Sequence, residues 1–305
     1  MRIRAAVVFC LAVVSALPVV AQTPARGTAI NLPLLGRLTG NGNVLYRTAI
    51  DVSNHTTVPV RVDFYLDGQD LATGAPVVVD GSINAGGSIG AWGIGSPMRA
   101  RSNAHFDDFV DAVIAAGLLP ATLRANGFLG SVLFIFDNRS ESGETAVTAR
   151  FYNALGDGTV GVSLKGREIT RNEPQSLVAA VSDTRGNTTG APRAYPNLFI
   201  NNTGVAAGNS MAVAGPVTVE VSAVANTTGL AVGTPLTISD LQPGRTVAVS
   251  QVLNALQIPA GAESTVLLFV RVTSGNAAIQ GIVSQIDDVT RDGSVFEMSR
   301  ADFRP

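Results

Sequence analysis

The sequence predicts an all-β protein of two tandem antiparallel β-sandwich domains, Ig-like or jelly-roll-like, each with one short helix. Internal duplication is the first of three observations behind this. Val58-Pro-Val-Arg-Val-Asp-Phe64 is echoed by Gly215-Pro-Val-Thr-Val-Glu-Val221, and Ser131-Val-Leu-Phe-Ile-Phe136 by Thr265-Val-Leu-Leu-Phe-Val270, in the same order. Between them Ile83-Asn-Ala-Gly-Gly-Ser-Ile89 matches Leu241-Gln-Pro-Gly-Arg-Thr-Val247, and near the ends Asp157-Gly-Thr-Val160 matches Asp292-Gly-Ser-Val295. So long a period, made of strand-like pieces, means two copies of one β domain rather than a solenoid. The second observation is period two: Val60, Val62 and Phe64 alternate with Arg61 and Asp63, as Val217, Val219 and Val221 do with Thr218 and Glu220. One face is then buried and the other wet. The third is spacing, many short strands punctuated by Gly, Asn and Pro.

Taken in order, residues 1–21 read as a secretory signal peptide: Arg2 and Arg4, an apolar run from Ala5 to Leu17, and Val19 and Ala21 before a cut. The expected location is secreted, periplasmic or cell-surface. Cys10, the only cysteine, leaves with this segment, so the mature chain is expected to hold no disulfide, thiolate nucleophile or cysteine metal site. Residues 22–32 are expected to be a lead-in strand or tether, 33–166 the first sandwich, 167–174 a charged linker ending in Pro174, and 175–305 the second.

Within each copy, Val132–Phe136 and Val266–Val270 are apolar throughout, the pattern of a central strand covered on both sides. Asp157-Gly and Asp292-Gly read as hairpin turns. Ahead of each central strand lies a helical stretch. From Asn103 to Gly117, residues Phe106, Phe109, Val110, Val113 and Ile114 form one stripe; copy two has the shorter Ser250–Leu256. Both helices are read as closing one end of the core.

The composition excludes several chemistries. Without Arg2 and Arg4 the chain has two fewer than its 21 basic residues against 23 acidic ones, a net charge of about −4, scattered along the sequence. Nothing there attracts nucleic acid or an anionic membrane. No phosphate-binding glycine loop occurs, and the two histidines, His55 and His105, lack metal-ligand spacing. Five Asn-X-Ser/Thr sequons, at Asn54, Asn138, Asn187, Asn201 and Asn226, are read as turn asparagines.

Three stretches remain as candidate sites. Gly86-Gly-Ser88-Ile-Gly90 fits a hydrolase nucleophile elbow, but the residues after it make a poor helix and no acid and histidine follow in order, so it is read as glycines opening a strand. The acidic stretches Asp67-Gly-Gln-Asp70 and Asp137, Asn138, Glu141 and Glu144 carry enough oxygens for a weak calcium site, against the plainer reading of solvated hairpins. No other cofactor is expected. Trp92, the only tryptophan, should point outward, because Ile89 and Ala91 align with the inward Val247 and Val249. It either stacks on a sugar ring or partner, with Tyr65 as second half of the platform, or is covered by copy one's extra length, Ile94 to Gly127, including Phe106 and Phe109. The covered state is the expectation.

In Tyr46-Arg-Thr-Ala-Ile-Asp-Val-Ser-Asn54, Thr148-Ala-Arg-Phe-Tyr-Asn153 and Asp157-Gly-Thr-Val-Gly161, copy one resembles uncharacterised exported bacterial proteins with tandem β-sandwich repeats. Copy two departs at the Arg-Phe-Tyr-Asn piece, reading Gly281-Ile-Val-Ser284. The resemblance implies the fold and brings no functional residue with it. The function expected is non-enzymatic: surface structure, adhesion or matrix contact, with an envelope or extracellular protein or polysaccharide as partner. The alternative is a carbohydrate-binding module using Trp92, and a hydrolase ranks last.

Overall fold

The computed structural model describes residues 28–39, 44–137, 145–155, 158–169, 174–187, 193–207, 209–287 and 293–301. Every ladder in it is antiparallel. The N-terminal half contains β1 (Thr28–Thr39), β2 (Leu45–Asn54), β3 (Val62–Asp70), β4 (Pro76–Ile83), β5 (Ile89–Gly90), β6 (Ser102–Phe106), α1 (Phe109–Ala115), α2 (Leu123–Asn126), β7 (Phe128–Phe136), β8 (Thr145–Leu155), β9 (Gly158–Lys165) and β10 (Arg167–Glu168). The C-terminal half contains β11 (Ser176–Ser182), β12 (Ala194–Ala206), β13 (Asn209–Val213), β14 (Val217–Ala225), β15 (Leu236–Leu241), β16 (Thr246–Val249), α3 (Val252–Ala255), β17 (Thr265–Ser274), β18 (Ala277–Asp287), β19 (Gly293–Glu297) and β20 (Ser299–Arg300).

The strand order repeats. One ladder of the N-terminal half runs β4-β3-β7-β1-β10, and its counterpart runs β15-β14-β17-β11-β20. A second runs β6-β2-β8-β9, and its counterpart β16-β12-β18-β19, with β13 added at the edge beside β12. In the N-terminal half the two ladders are one sheet, because β1 bends at an irregularity between Leu32 and Leu35, around Pro33, and goes on to pair with β2. The same buried asparagine recurs at the corner of each half. Asn54 donates to the carbonyls of Val58 and Arg99 at 3.0 and 2.9 Å and accepts from the Thr56 amide; Asn202 donates to those of Gly215 and Leu241 at 3.2 and 2.8 Å and accepts from the Gly204 amide. Two of the sequon asparagines, Asn54 and Asn201, are therefore buried and out of reach of a glycan.

The ladders correct several expectations. Phe64 lies opposite Phe134, whereas Val221 lies opposite Val270, so Phe134 corresponds to Val270 and not to Leu268. The two sequence echoes are two residues out of step, and period two hides the slip because it leaves inward residues inward. Of the two expectations for the lead-in segment, strand or tether, residues 28–32 take the first: they pair with β7 and belong to the sheet. The linker begins as β10, hydrogen-bonded to β1 at Ile30 and Asn31. The Asp157 and Asp292 turns lie outside the described residues. The helix expected from Asn103 starts only after Asp108, whose carboxylate accepts the Asp111 amide as an N-cap, and Phe106 belongs to β6. From Phe109 on, the stripe is as read: Phe109, Val110, Val113 and Ile114 are buried, and Phe109 meets Phe64, Phe106 and Phe134 at centroid distances of 5.3, 5.2 and 5.7 Å.

β7 is covered on both faces, as its sequence requires, but β17 is not: its inward residues are buried and its outward ones, Leu267 and Phe269 among them, are half-exposed. The difference is what packs outside. The C-terminal half lies across the outer face of β1 and β7, inserting Ile282 into the first core with Phe199 and Val295 against it. Most of its polar seam is paired within the protein, although the Gln280 amide nitrogen is buried without a hydrogen-bond partner among the described residues. Asn31 donates to Asn201 and Gln280 at 3.0 and 2.8 Å, Thr246 to the Pro33 carbonyl at 2.7 Å, and Ser131 to the Gly244 carbonyl. Beside them Arg245 pairs with Asp67 at 2.9 Å. Gly244 has φ +76, and a Cβ there would meet Asp67 at 2.8 Å. Among the described residues no helix is long and apolar enough to cross a membrane, a statement that does not bear on strands.

Replacing Asn54 or Asn202 by Ala strands backbone groups in the interior, and each change is expected to lower the unfolding free energy by about 2–4 kcal/mol. The control Asn226→Ala, at an exposed turn, is expected to stay within about 0.5 kcal/mol in the same urea titrations. Burial pushes the Asp67 carboxyl up from 3.8 to about 6, with Arg245 acting the other way. The folded state then holds this proton more tightly than the unfolded chain, so its contribution to stability is full below about pH 4 and is lost as pH rises through about 6. Asp67→Asn should remove that loss, flattening the pH dependence of the unfolding free energy by on the order of 2 kcal/mol.

Candidate functional site

The alternation of β3 sends Phe64 and Leu66 into the core and Asp63, Tyr65 and Asp67 to the outer face. On that face Tyr65 stands opposite Asp80 of β4 on one side and Leu133 of β7 on the other. Trp92 comes to it from a loop that the C-terminal half lacks. The strand pairing with β2 is β6, just as β16 pairs with β12, so β16 corresponds to β6 and not to β5 as the sequence alignment had it. The loop after β5 is therefore additional chain, and Ala91 is exposed rather than inward.

Local hydrogen bonds fix this loop. Ser82 Oγ lies 2.5 Å from Asp63 Oδ1 and 3.0 Å from the Ala91 carbonyl, and it accepts the Gly93 amide at 3.0 Å. Gly93 has φ +72, which a side chain would strain, and this turn lays Trp92 back over β3. The Trp92 and Tyr65 rings are 4.4 Å apart between centroids with 41° between their planes. Both are half-buried. Phe106 and Phe109, expected as a cover for Trp92, are core residues; Tyr65 packs against Trp92 instead and leaves it half-buried. Burial raises the Tyr65 hydroxyl pKa above 10.0, and the charges of Asp80 and then Asp63 raise it further. Asp80 is exposed, as are Val78, the next outward residue of β4, and Ile94, two residues past Trp92. The chemistry offered is an aromatic edge and face beside a carboxylate.

The other sequence candidates are separated from it. Asp137 is exposed at the end of β7, with its amide on the Arg61 carbonyl; Asn138, Glu141 and Glu144 lie outside the described residues. Among the described residues no group of three or more His, Cys, Asp and Glu is placed to hold a metal ion. Asp67 and Asp70 sit on opposite faces of β3, which continues through them where a turn was read. Asp67 pairs with Arg245, while Asp70 caps the following turn through the Ala72 and Thr73 amides and accepts Asn126 at 2.7 Å. Ser88 is exposed in a turn that leads into a two-residue strand, not a helix, and Asn84 is its side-chain partner. That geometry is not a nucleophile elbow.

Sequence reasoning passed over two features. His105 has Asp51 at 2.9 Å on Nδ1 and Asp107 at 3.1 Å on Nε2, hydrogen bonds that raise its pKa in that order. The Asp51 contact follows from the pairing of β2 with β6 and leaves no local signature. A cleft of about 270 Å³ opens between the β4–β5 turn and β6, lined by Asn84, Gly87, Met98, Arg99, Ser102 and Asn103.

No family model matches the chain, and no curated protein matches it. Among solved structures it is similar to the apo form of a lectin from Pleurotus ostreatus, at 9% identity over 90% of this chain and 76% of that one, with a TM-score of 0.20. A likeness that low carries nothing over to this chain.

The carboxylate beside Tyr65 gives a direct test of the geometry. Asp80→Asn should bring the Tyr65 pKa down toward 10.0, read by ultraviolet titration of the phenolate against a Tyr65→Phe reference.

Proposed function

We propose that this chain is an exported, non-enzymatic contact protein, built as two copies of one β-sandwich plan, that binds carbohydrate through Tyr65 and Trp92. The leader-like residues 1–21 support export. The repeated strand order and the two equivalent asparagines, Asn54 and Asn202, support a duplicated sandwich. A role in adhesion or surface contact, with an envelope polysaccharide as partner, accords with a scaffold whose two halves differ mainly in their loops.

The observation that carries the reading is the ring pair on the outer face of β3 and β4, held by a loop present in one half only. Apolar faces of a pyranose ring stack on such rings, and a neighbouring carboxylate accepts hydroxyl hydrogen bonds. The pair has no packing duty in the core, which is closed by Phe64, Phe106, Phe109 and Phe134. Since Trp92 is the only tryptophan, its emission reports the site alone. Soluble oligosaccharides are expected to shift or quench it saturably, and Trp92→Ala is expected to weaken binding by about tenfold or more in calorimetry while leaving the urea midpoint nearly unchanged. Emission unmoved by any neutral, amino or acidic oligosaccharide would remove this reading.

A further inference from the structure

We infer that the ligand of the Tyr65–Trp92 pair is an amino sugar carrying a free ammonium group, preferred over neutral and acidic sugars; this rests on the reading of the pair as the contact site. Three carboxylates stand along this face. Asp80 faces Tyr65 across the β3–β4 ladder, Asp63 lies two residues before Tyr65 and Asp67 two after it. They are not equivalent. Asp67 is neutralised by Arg245 at 2.9 Å, and Asp63, 8% exposed, is engaged by Ser82 and the Gly93 amide, a bonding pattern that keeps the loop in place. Asp80 is exposed and makes no ion pair or side-chain hydrogen bond among the described residues. It is the carboxylate left for a ligand.

Two arginines border this stretch of β3. Arg245 is taken by Asp67, and Arg61 is four residues from Tyr65, about 13 Å at the rise of a strand. The charge left beside the rings is accordingly negative, and it acts on Tyr65 itself: burial first, then the charges of Asp80 and Asp63, raise its hydroxyl pKa. The electron-rich ring faces act with the same sign. An ammonium gains from a ring face within about 6 Å and from an adjacent carboxylate together, whereas an acidic sugar is repelled by both. A sugar supplies the apolar ring face for stacking, and its amine supplies the charge. Neither group alone uses the whole site.

The test titrates the full chain at neutral pH, where Asp67 is ionised against Arg245 and a sizeable share of the amine is charged, with a glucosamine oligomer, the matched N-acetylglucosamine oligomer, a galacturonate oligomer and spermidine. Trp92 emission and calorimetry are both read. The glucosamine oligomer is expected to bind about tenfold tighter than its acetylated counterpart, with the galacturonate oligomer weakest and spermidine well below the glucosamine oligomer. Asp80→Asn, an exposed change, should bring the ratio of the first two close to one by weakening the glucosamine oligomer more than the acetylated one, both of which lose the carboxylate acceptor. Equal binding of the acetylated and free-amine oligomers overturns the inference and leaves the carbohydrate site standing. Spermidine binding as tightly as the glucosamine oligomer also overturns it, since an amine without a sugar would suffice. If none of the four perturbs Trp92, the inference and the carbohydrate reading fall together.

Discussion

The structure depends on covering the outer face of β7. Its sequence is apolar on both sides, so Phe128, Val132, Phe134 and Phe136 fill the core while Leu129, Leu133 and Ile135 need a second cover. The C-terminal half covers part of this face, with β16 against β7, and in doing so buries polar groups: Asn31, Ser131, Asn201, Thr246 and Gln280 are all under a tenth exposed. These groups are tolerated because they bond to one another and to the Pro33 and Gly244 carbonyls, with the Gln280 amide nitrogen alone among them left without an acceptor among the described residues, as a local cost. The seam thereby fixes one register between the halves, which an apolar contact of the same size would define less sharply.

A repeated strand order does not make the surfaces of the two halves interchangeable. By ladder position, Phe199 and Ile282, which press on the first core, correspond to Asp51 and Thr148 in the N-terminal half. Asn31 and Ser131 correspond to Val178 and Leu267. The contact is therefore directional: one half carries the apolar insert and the other the polar acceptors. The same divergence gives the N-terminal half the loop bearing Trp92. A short hydroxyl-to-carboxylate contact, one glycine of positive φ and a partner ring on β3 hold that loop against the sheet without altering the strands beneath.

Much of this was legible in the chain. Alternation at Val62–Phe64 and Val217–Val221 identified inward residues correctly, and the stripe Phe109, Val110, Val113 and Ile114 identified a helix face, because both depend on local periodicity. Trp92 and Tyr65 could be named together and their rings do meet, but the reason for naming them, an aromatic out of phase with its strand neighbours, does not hold, because Trp92 lies in the loop after β5. The position of the loop relative to the duplicated plan was misread. Matching β5 to β16 follows from similar glycine-containing turns, and only the pairing of β6 with β2 shows which strand is equivalent. Equally, no local pattern distinguishes β7, covered on both faces, from β17, covered on one.

The sequence by itself determined an all-β chain of antiparallel strands with a duplicated order, because side-chain alternation and turn residues act over a few neighbouring positions. The tertiary structure alone decided where β1 begins, that Asp67 meets Arg245, that Asp51 meets His105, and that Phe106 and Phe109 close the core while Tyr65 supports Trp92. Those contacts join residues far apart in the chain, and their partners are chosen by which sheet faces must be covered, a requirement that exists only once the sheets have formed.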